Sequence, residues 1–202
     1  MEPDSTELHK QRAIRRKEAF EERKARATRE KGLLLVHTGA GKGKTTAALG
    51  LAFRALGQGL KVGIVQFIKG AIPTGEAALV RRLNLPIEMY TMGDGFTWNT
   101  QDREQDIASA RKAWEQAVAI LHDESFGLVV LDELNVVLNY DYLPLSEVLD
   151  ELRRKRAMLH VVVTGRNAKQ EMIDLADLVT EMKLVKHPYR EQGIKPQPGI
   201  EY

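Results

Sequence analysis

Thr38, Gly39, Ala40, Gly41, Lys42, Gly43, Lys44, Thr45 and Thr46 follow directly on the apolar run Leu33–His37. Glycines at alternate positions keep Cβ atoms out of an anion's path, so successive backbone N–H groups can converge on it. The usual phosphate-loop spacing, G-x-x-x-x-G-K-[ST], is met at Gly43, Lys44 and Thr45. It fails at the front, where Thr38 occupies the first glycine's place and Gly39 comes one position later. A helix starting near Lys44 adds its positive N-terminal end to the cradle. Lys44 is expected as a surface ligand reaching terminal phosphates, and the Thr45 hydroxyl as a ligand of Mg²⁺.

A second chemical segment is Leu128-Val-Val-Leu-Asp132-Glu133. Four apolar residues ending in two carboxylates place Asp132 and Glu133 at the C-terminal edge of a buried strand, where α/β sheets take their ligands. Either acid can complete a Mg²⁺ shell, directly or through water, and Mn²⁺ would suit the same donors. Together the two segments specify nucleotide binding without naming the reaction. Glu133 could activate water or a hydroxyl, so a P-loop ATPase or kinase stays open at this point. Gln66 and Lys69, closing the run Val65–Gly70, belong at the same edge. Phe96 and Trp98 stand two apart in a glycine-hinged stretch, Gly93–Asn99, suited to covering a large flat apolar ligand.

The elements that must carry these residues are legible as alternating runs. Strands are expected at Leu33–His37, Lys61–Ile68, Ile87–Thr91, Leu128–Leu131 and Leu159–Thr164. Helices are expected at Lys44–Leu56, Glu76–Leu83, Asp102–His122, Leu145–Arg156 and Ala168–Ala176. Several strand runs are apolar on both faces, as in a mostly parallel sheet with helices on either side. The fold class is therefore an α/β three-layer sandwich. The segment Lys183–Tyr202 reads as an ordered tail or loop.

Composition narrows the function classes. The 202 residues carry a formal charge of +2 and no cysteine, which excludes disulfides, zinc–thiolate sites, iron–sulfur clusters and cysteine nucleophiles. Residues 1–31 hold ten Lys or Arg against seven Asp or Glu, whereas the remainder is slightly acidic. This divides the chain into a basic helical arm, 1–31, and an α/β domain, 32–202. A nucleic-acid-binding module working through the arm is the reading from another class, and the near-neutral body opposes it. Neither a membrane span nor an apolar signal core is evident, so the expected location is the cytoplasm.

Thr38–Thr46, Val65–Gly70, Gly95-Phe-Thr-Trp98, Val130-Leu-Asp-Glu-Leu134, Asp141-Tyr-Leu-Pro144, Val163-Thr-Gly-Arg166, Ala176-Asp-Leu-Val-Thr-Glu181, Lys186-His-Pro-Tyr189 and Gly199-Ile-Glu-Tyr202 occur in this order. Their combination closely resembles the P-loop class of ATP:corrinoid adenosyltransferases across essentially the whole chain. Ala40 stands where that family commonly has Asn. The resemblance implies a P-loop NTPase-like, RecA-like domain in which Co(I) of a corrinoid attacks the ribose C5′ of ATP and tripolyphosphate leaves. It implies that Gly39, Ala40, Gly41, Lys42, Gly43, Lys44, Thr45 and Thr46 hold the triphosphate. Thr45, Glu133 and Asp132 are the implied metal contacts. Phe96 and Trp98 match the aromatic pair that displaces the corrinoid's lower ligand. A homodimer with the arm closing over the partner's active site is also implied. The electron must come from outside, from a donor such as a flavoprotein reductase. Four positions stay less defined: Arg166 as a phosphate contact or an exposed arginine, Tyr140 and Tyr142 as lining of a corrinoid pocket, and His187 in a structural role.

Overall fold

The computed structural model describes residues 5–68, 74–91 and 102–201. Cα packing separates residues 1–31 from residues 32–202. In the first unit, α1 (Ser5–Arg26) is a 22-residue helix, with Glu22 paired to Arg26 one turn on at 3.9 Å. Its large apolar side chains Leu8, Ile14 and Phe20 are exposed. Three apolar residues spread over that length give no continuous apolar stripe.

The second unit is built on six strands: β1 (Leu34–Thr38), β2 (Lys61–Gln66), β3 (Ile87–Thr91), β4 (Phe126–Asp132), β5 (His160–Thr164) and β6 (Leu178–Glu181). Their spatial order is β3-β2-β4-β5-β1-β6, and every pairing is parallel. Both faces are covered, which is why the strand sequences are apolar without alternation. On one face Val62, Ile64, Leu128, Val130 and Val162 pack with Ala48, Leu49 and Ala52 of α2 (Lys44–Gly57). On the other, Val65, Val129, Leu131, Val161 and Val163 pack with Ala113, Trp114 and Ala117 of α4 (Arg103–His122). Small residues on both helices let them lie close to the sheet. Asp102 starts α4 by accepting from the Glu104 and Gln105 amides at 3.1 Å each.

The remaining helices are α3 (Gly75–Leu83), α5 (Leu134–Asn139), α6 (Leu145–Arg154), α7 (Gln170–Leu175) and α8 (Pro188–Gln192). Sequence reasoning found β1 to β5 and missed β6, α5 and α8, the last lying in the segment read as a tail or loop. Strand β6 has only four residues, all exposed, so burial gives its sequence no distinguishing pattern. Its identity comes from pairing with β1 instead. Helix α5 spans six residues, too short to develop a helical period. Strand β4 begins two residues earlier than expected because Phe126 pairs with Lys61 before the register shifts.

Parallel strands bring all their carboxyl ends to one edge. Gln66 lies beside Asp132 and Thr91, and His37 beside Thr164. One strand, β5, separates the strand that leads into the glycine-rich loop from the strand that ends in the acids. This is the P-loop NTPase-like architecture expected from the sequence.

Candidate nucleotide and corrinoid site

The glycine-rich loop leaves β1 at Thr38 and enters α2 at Lys44. Gly39 and Gly43 have φ of 97° and 100°, in the left-handed region where a side chain is strained. Close approach adds a second reason for glycine. A Cβ on Gly39 would fall 2.5 Å from the Met182 carbonyl oxygen, and one on Gly41 would fall 2.8 Å from the carbonyl oxygens of Met182 and Lys183. The Gly41 amide itself donates to the Met182 carbonyl at 2.6 Å. The alternate glycines thus seat the loop against the exit of β6 as well as opening it toward an anion.

Lys44 departs from its expected surface position. Only 6% of the residue is exposed, and its Nζ donates to the carbonyls of Gly39 at 2.9 Å and Gly41 at 2.5 Å. The ammonium closes the loop on itself because the loop carbonyls are the acceptors within reach. Burial lowers its pKa, Glu133 opposes that shift, Arg166 adds to it and Asp132 opposes it. Lys42 is held differently, in an ion pair with Glu201 near the end of the chain.

The acids differ from each other. Asp132 ends β4 and is 4% exposed. Its Oδ1 accepts from the Thr45 hydroxyl at 2.8 Å and the Thr164 hydroxyl at 2.7 Å, and its Oδ2 accepts from the Gln66 side-chain amide at 3.3 Å. Glu133 follows with φ 61° and ψ 19°, a left-handed conformation that caps α5 and turns the chain out of the sheet. Burial raises its carboxyl pKa, the neighbouring Asp132 charge raises it further, and Lys44 and Arg166 pull it down. Because the Thr45 proton is given to Asp132, the hydroxyl's lone pairs remain for a cation.

These groups open on a cavity of about 960 Å³ lined by Thr45, Thr46, Gln66, Asp132, Glu133 and Arg166 on its polar side. Leu49, Ile68, Leu79, Val136, Tyr140 and Ile200 supply apolar lining. The division suits a ligand that carries both charge and a large apolar body. Arg166 lies on the cavity wall and is itself exposed to solvent. Its loop is fixed by Asn139, whose side-chain amide donates to the Arg166 carbonyl at 2.8 Å and the Asn167 carbonyl at 2.9 Å. Tyr140 lines the cavity and stacks on Tyr142 at 5.5 Å, while the Tyr142 hydroxyl donates to Asp106 at 3.2 Å. His187 is structural: its Nδ1 accepts from the Tyr189 amide at the start of α8. Lys69, Phe96 and Trp98 lie outside the described residues.

Thr91, Thr164 and the tail residues Gly199–Glu201 were not assigned chemical roles from spacing. Thr91 ends its strand outside any quoted motif and Thr164 sits within Val163-Thr-Gly-Arg166 with no role assigned to it, and only the folded sheet sets them beside Gln66 and Asp132. The tail reaches the cavity from a position remote in sequence.

Residues 30–202 match the family model for ATP:corrinoid adenosyltransferase BtuR/CobO/CobP. A corrinoid adenosyltransferase of Pseudomonas aeruginosa is 52% identical over 200 residues, covering 99% of this chain and 98% of the relative. One from Escherichia coli K12 is 46% identical over 198 residues, covering 98% and 100%. Among solved structures, the flagellar accessory protein FlaH of Methanocaldococcus jannaschii aligns with 75% of this chain and 71% of its own, at TM-score 0.49 and 9% identity. Matched along almost its entire length by the family model and by these adenosyltransferases, the chain belongs to the ATP:corrinoid adenosyltransferase family and transfers an adenosyl group from ATP to a corrinoid.

Proposed function

We propose that residues 39–46 hold the triphosphate of ATP as the leaving group of this transfer. The supporting observation is that Thr45, Asp132, Glu133 and Arg166 share the wall of one cavity at the start of α2, directly after the glycine-rich loop, with Lys44 coupled to them electrostatically. Co(I) of the corrinoid attacks C5′ with its electron pair, a cobalt–carbon bond forms, and the C5′–O bond breaks. Tripolyphosphate departs with the bonding electrons. Loop amides, Lys42 and Lys44 stabilise the negative charge gathering there. Co(I) is a strong nucleophile, so the step needs no general base and the protein supplies alignment and electrostatics.

A hydroxyl and two carboxylates form a hard oxygen donor set, which fits Mg²⁺ or Mn²⁺. Thr45 and Glu133 would hold the ion. Asp132, whose oxygens already accept from Thr45, Thr164 and Gln66, would act by orienting Thr45 or through water. Bound there, the cation neutralises charge on the triphosphate. Phe96 and Trp98 displace the corrinoid's lower ligand, which makes Co(II) easier to reduce.

The enzyme works in the cytoplasm as a homodimer, with the basic arm, 1–31, over the partner's site and the domain 32–202 carrying the chemistry. The absence of cysteine leaves the electron to an external donor such as a flavoprotein reductase. Among the described residues no helix is long and apolar enough to cross a membrane. The near-neutral body supports small-molecule substrates over nucleic acid.

Inorganic tripolyphosphate provides the test. With Mg²⁺ present it should bind and compete with ATP, and Lys44→Ala should weaken both ligands. Tripolyphosphate that neither binds nor competes would remove the loop from this role.

A further inference from the structure

Thr164 ends β5, the strand lying between the loop strand and the acid strand, and it is completely buried. Its hydroxyl makes two contacts of opposite sense. It donates its single proton to Asp132 Oδ1 at 2.7 Å and accepts from the Glu133 backbone amide at 2.9 Å. The Asp132 oxygen it reaches is the one that accepts from Thr45 at 2.8 Å. On the far side of the carboxylate, Gln66 donates to Oδ2, and Gln66 Oε1 accepts from Thr91 at 3.0 Å. Asp132 is therefore gripped at both oxygens, and one grip also reaches the left-handed residue next to it.

We propose that Thr164 is a positioning residue for the nucleotide–cation site, setting both acids with one hydroxyl. Through its proton it turns Asp132 toward Thr45, and through a lone pair it fixes the Glu133 backbone so that the side chain lines the cavity. A left-handed glutamate persists only where its surroundings hold it, and the Thr164–amide bond supplies part of that hold. Valine has nearly the same shape but neither contact. In Thr164→Val, Asp132 Oδ1 keeps only Thr45, and the Glu133 amide loses its partner. Serine restores both contacts without the methyl group. The inference rests on the reading that Thr45 and the acids receive a divalent cation with ATP.

The experiment measures ATP affinity of the full chain by calorimetry, with Mn²⁺ and then with EDTA. Mn²⁺ electron paramagnetic resonance reports the cation independently of turnover. Thr164→Val should lose about 10–100-fold in Mn²⁺-dependent ATP affinity, the range found when groups supporting metal ligands are removed. Its affinity in EDTA should stay within about two-fold of wild type, and Thr164→Ser should recover most of the loss. A purely structural threonine would lower the melting temperature and leave the Mn²⁺-to-EDTA ratio unchanged; that result overturns the proposal. Should the valine variant not fold, Thr164→Cys supplies the reading, because a thiol is a weak donor and acceptor of similar size. An intermediate loss supports the proposal and an unchanged ratio overturns it. Wild-type ATP affinity indifferent to Mn²⁺ would instead overturn the cation reading of the site, and this proposal with it.

Discussion

Replacing Lys44 by methionine separates two things the lysine does. The stem keeps its length and apolar character, while the ammonium is lost. That ammonium ties the loop together through the Gly39 and Gly41 carbonyls. A hydrogen bond to a charged group is worth about 1.5–3 kcal/mol, but burying the ammonium works against the pair, so the net loss should be about 1–2 kcal/mol. For a chain of this size that lowers the melting temperature by about 2–8 °C. The loss in chemistry should be larger. Removing a donor that faces developing charge typically costs about 10²–10³ in rate, or about 2.7–4 kcal/mol. Because charge on the triphosphate grows as C5′–O breaks, kcat should fall further than ATP affinity. Anaerobic conversion of Co(I) corrinoid at saturating ATP measures the first quantity, calorimetric titration the second and thermal circular dichroism the stability. Wild-type kcat in Lys44→Met would refute the leaving-group role. An unchanged melting temperature would refute the loop-closing role.

Two further outcomes follow from the same geometry, and a third from the proposed role of the aromatic pair. The folded state holds the Glu133 proton more tightly than the unfolded chain does. Its contribution to stability is therefore greatest at acid pH and lost as pH rises through the elevated pKa. Cation-dependent ATP binding needs the carboxylate and should disappear in acid above the ordinary glutamate range. Glu133→Gln should abolish that limb, and a limb unchanged in the variant would exclude Glu133 as its source. Gly39→Ala should destabilise the fold by about 2–4 kcal/mol, combining left-handed strain with overpacking against Met182. Urea denaturation at wild-type midpoint would contradict this. Phe96→Ala combined with Trp98→Ala should slow reaction from Co(II) corrinoid far more than reaction from chemically reduced Co(I). Equal losses in anaerobic assays from both states would remove the pair from ligand displacement.

The fold was legible wherever burial wrote a pattern. Runs such as Leu128–Leu131 are apolar at every position because both faces of the sheet are covered, and these strands were found from that property alone. Strand β6 is exposed throughout, so nothing in Leu178–Glu181 announces a partner in β1. The site divides in the same way. Lys44, Thr45, Asp132 and Glu133 occur at spacings that chemistry demands, and the fold brings them together. Thr164 and Gln66 meet Asp132, and Thr91 meets Gln66, only because parallel pairing brings four strand ends together. The burial of Lys44 was also hidden, since its acceptors are carbonyls of a loop whose shape depends on Met182. Local sequence encodes which groups are present; long-range register decides what they hold.

The most direct test follows the phosphates. ATP labelled in its triphosphate and Co(I) corrinoid should be mixed with the protein under anaerobic conditions, and the phosphate products resolved by ³¹P nuclear magnetic resonance. Tripolyphosphate should appear in one-to-one ratio with a light-sensitive organocobalt spectrum, and neither should form without the other. ADP with inorganic phosphate, formed at the same rate whether or not corrinoid is present, would contradict the account.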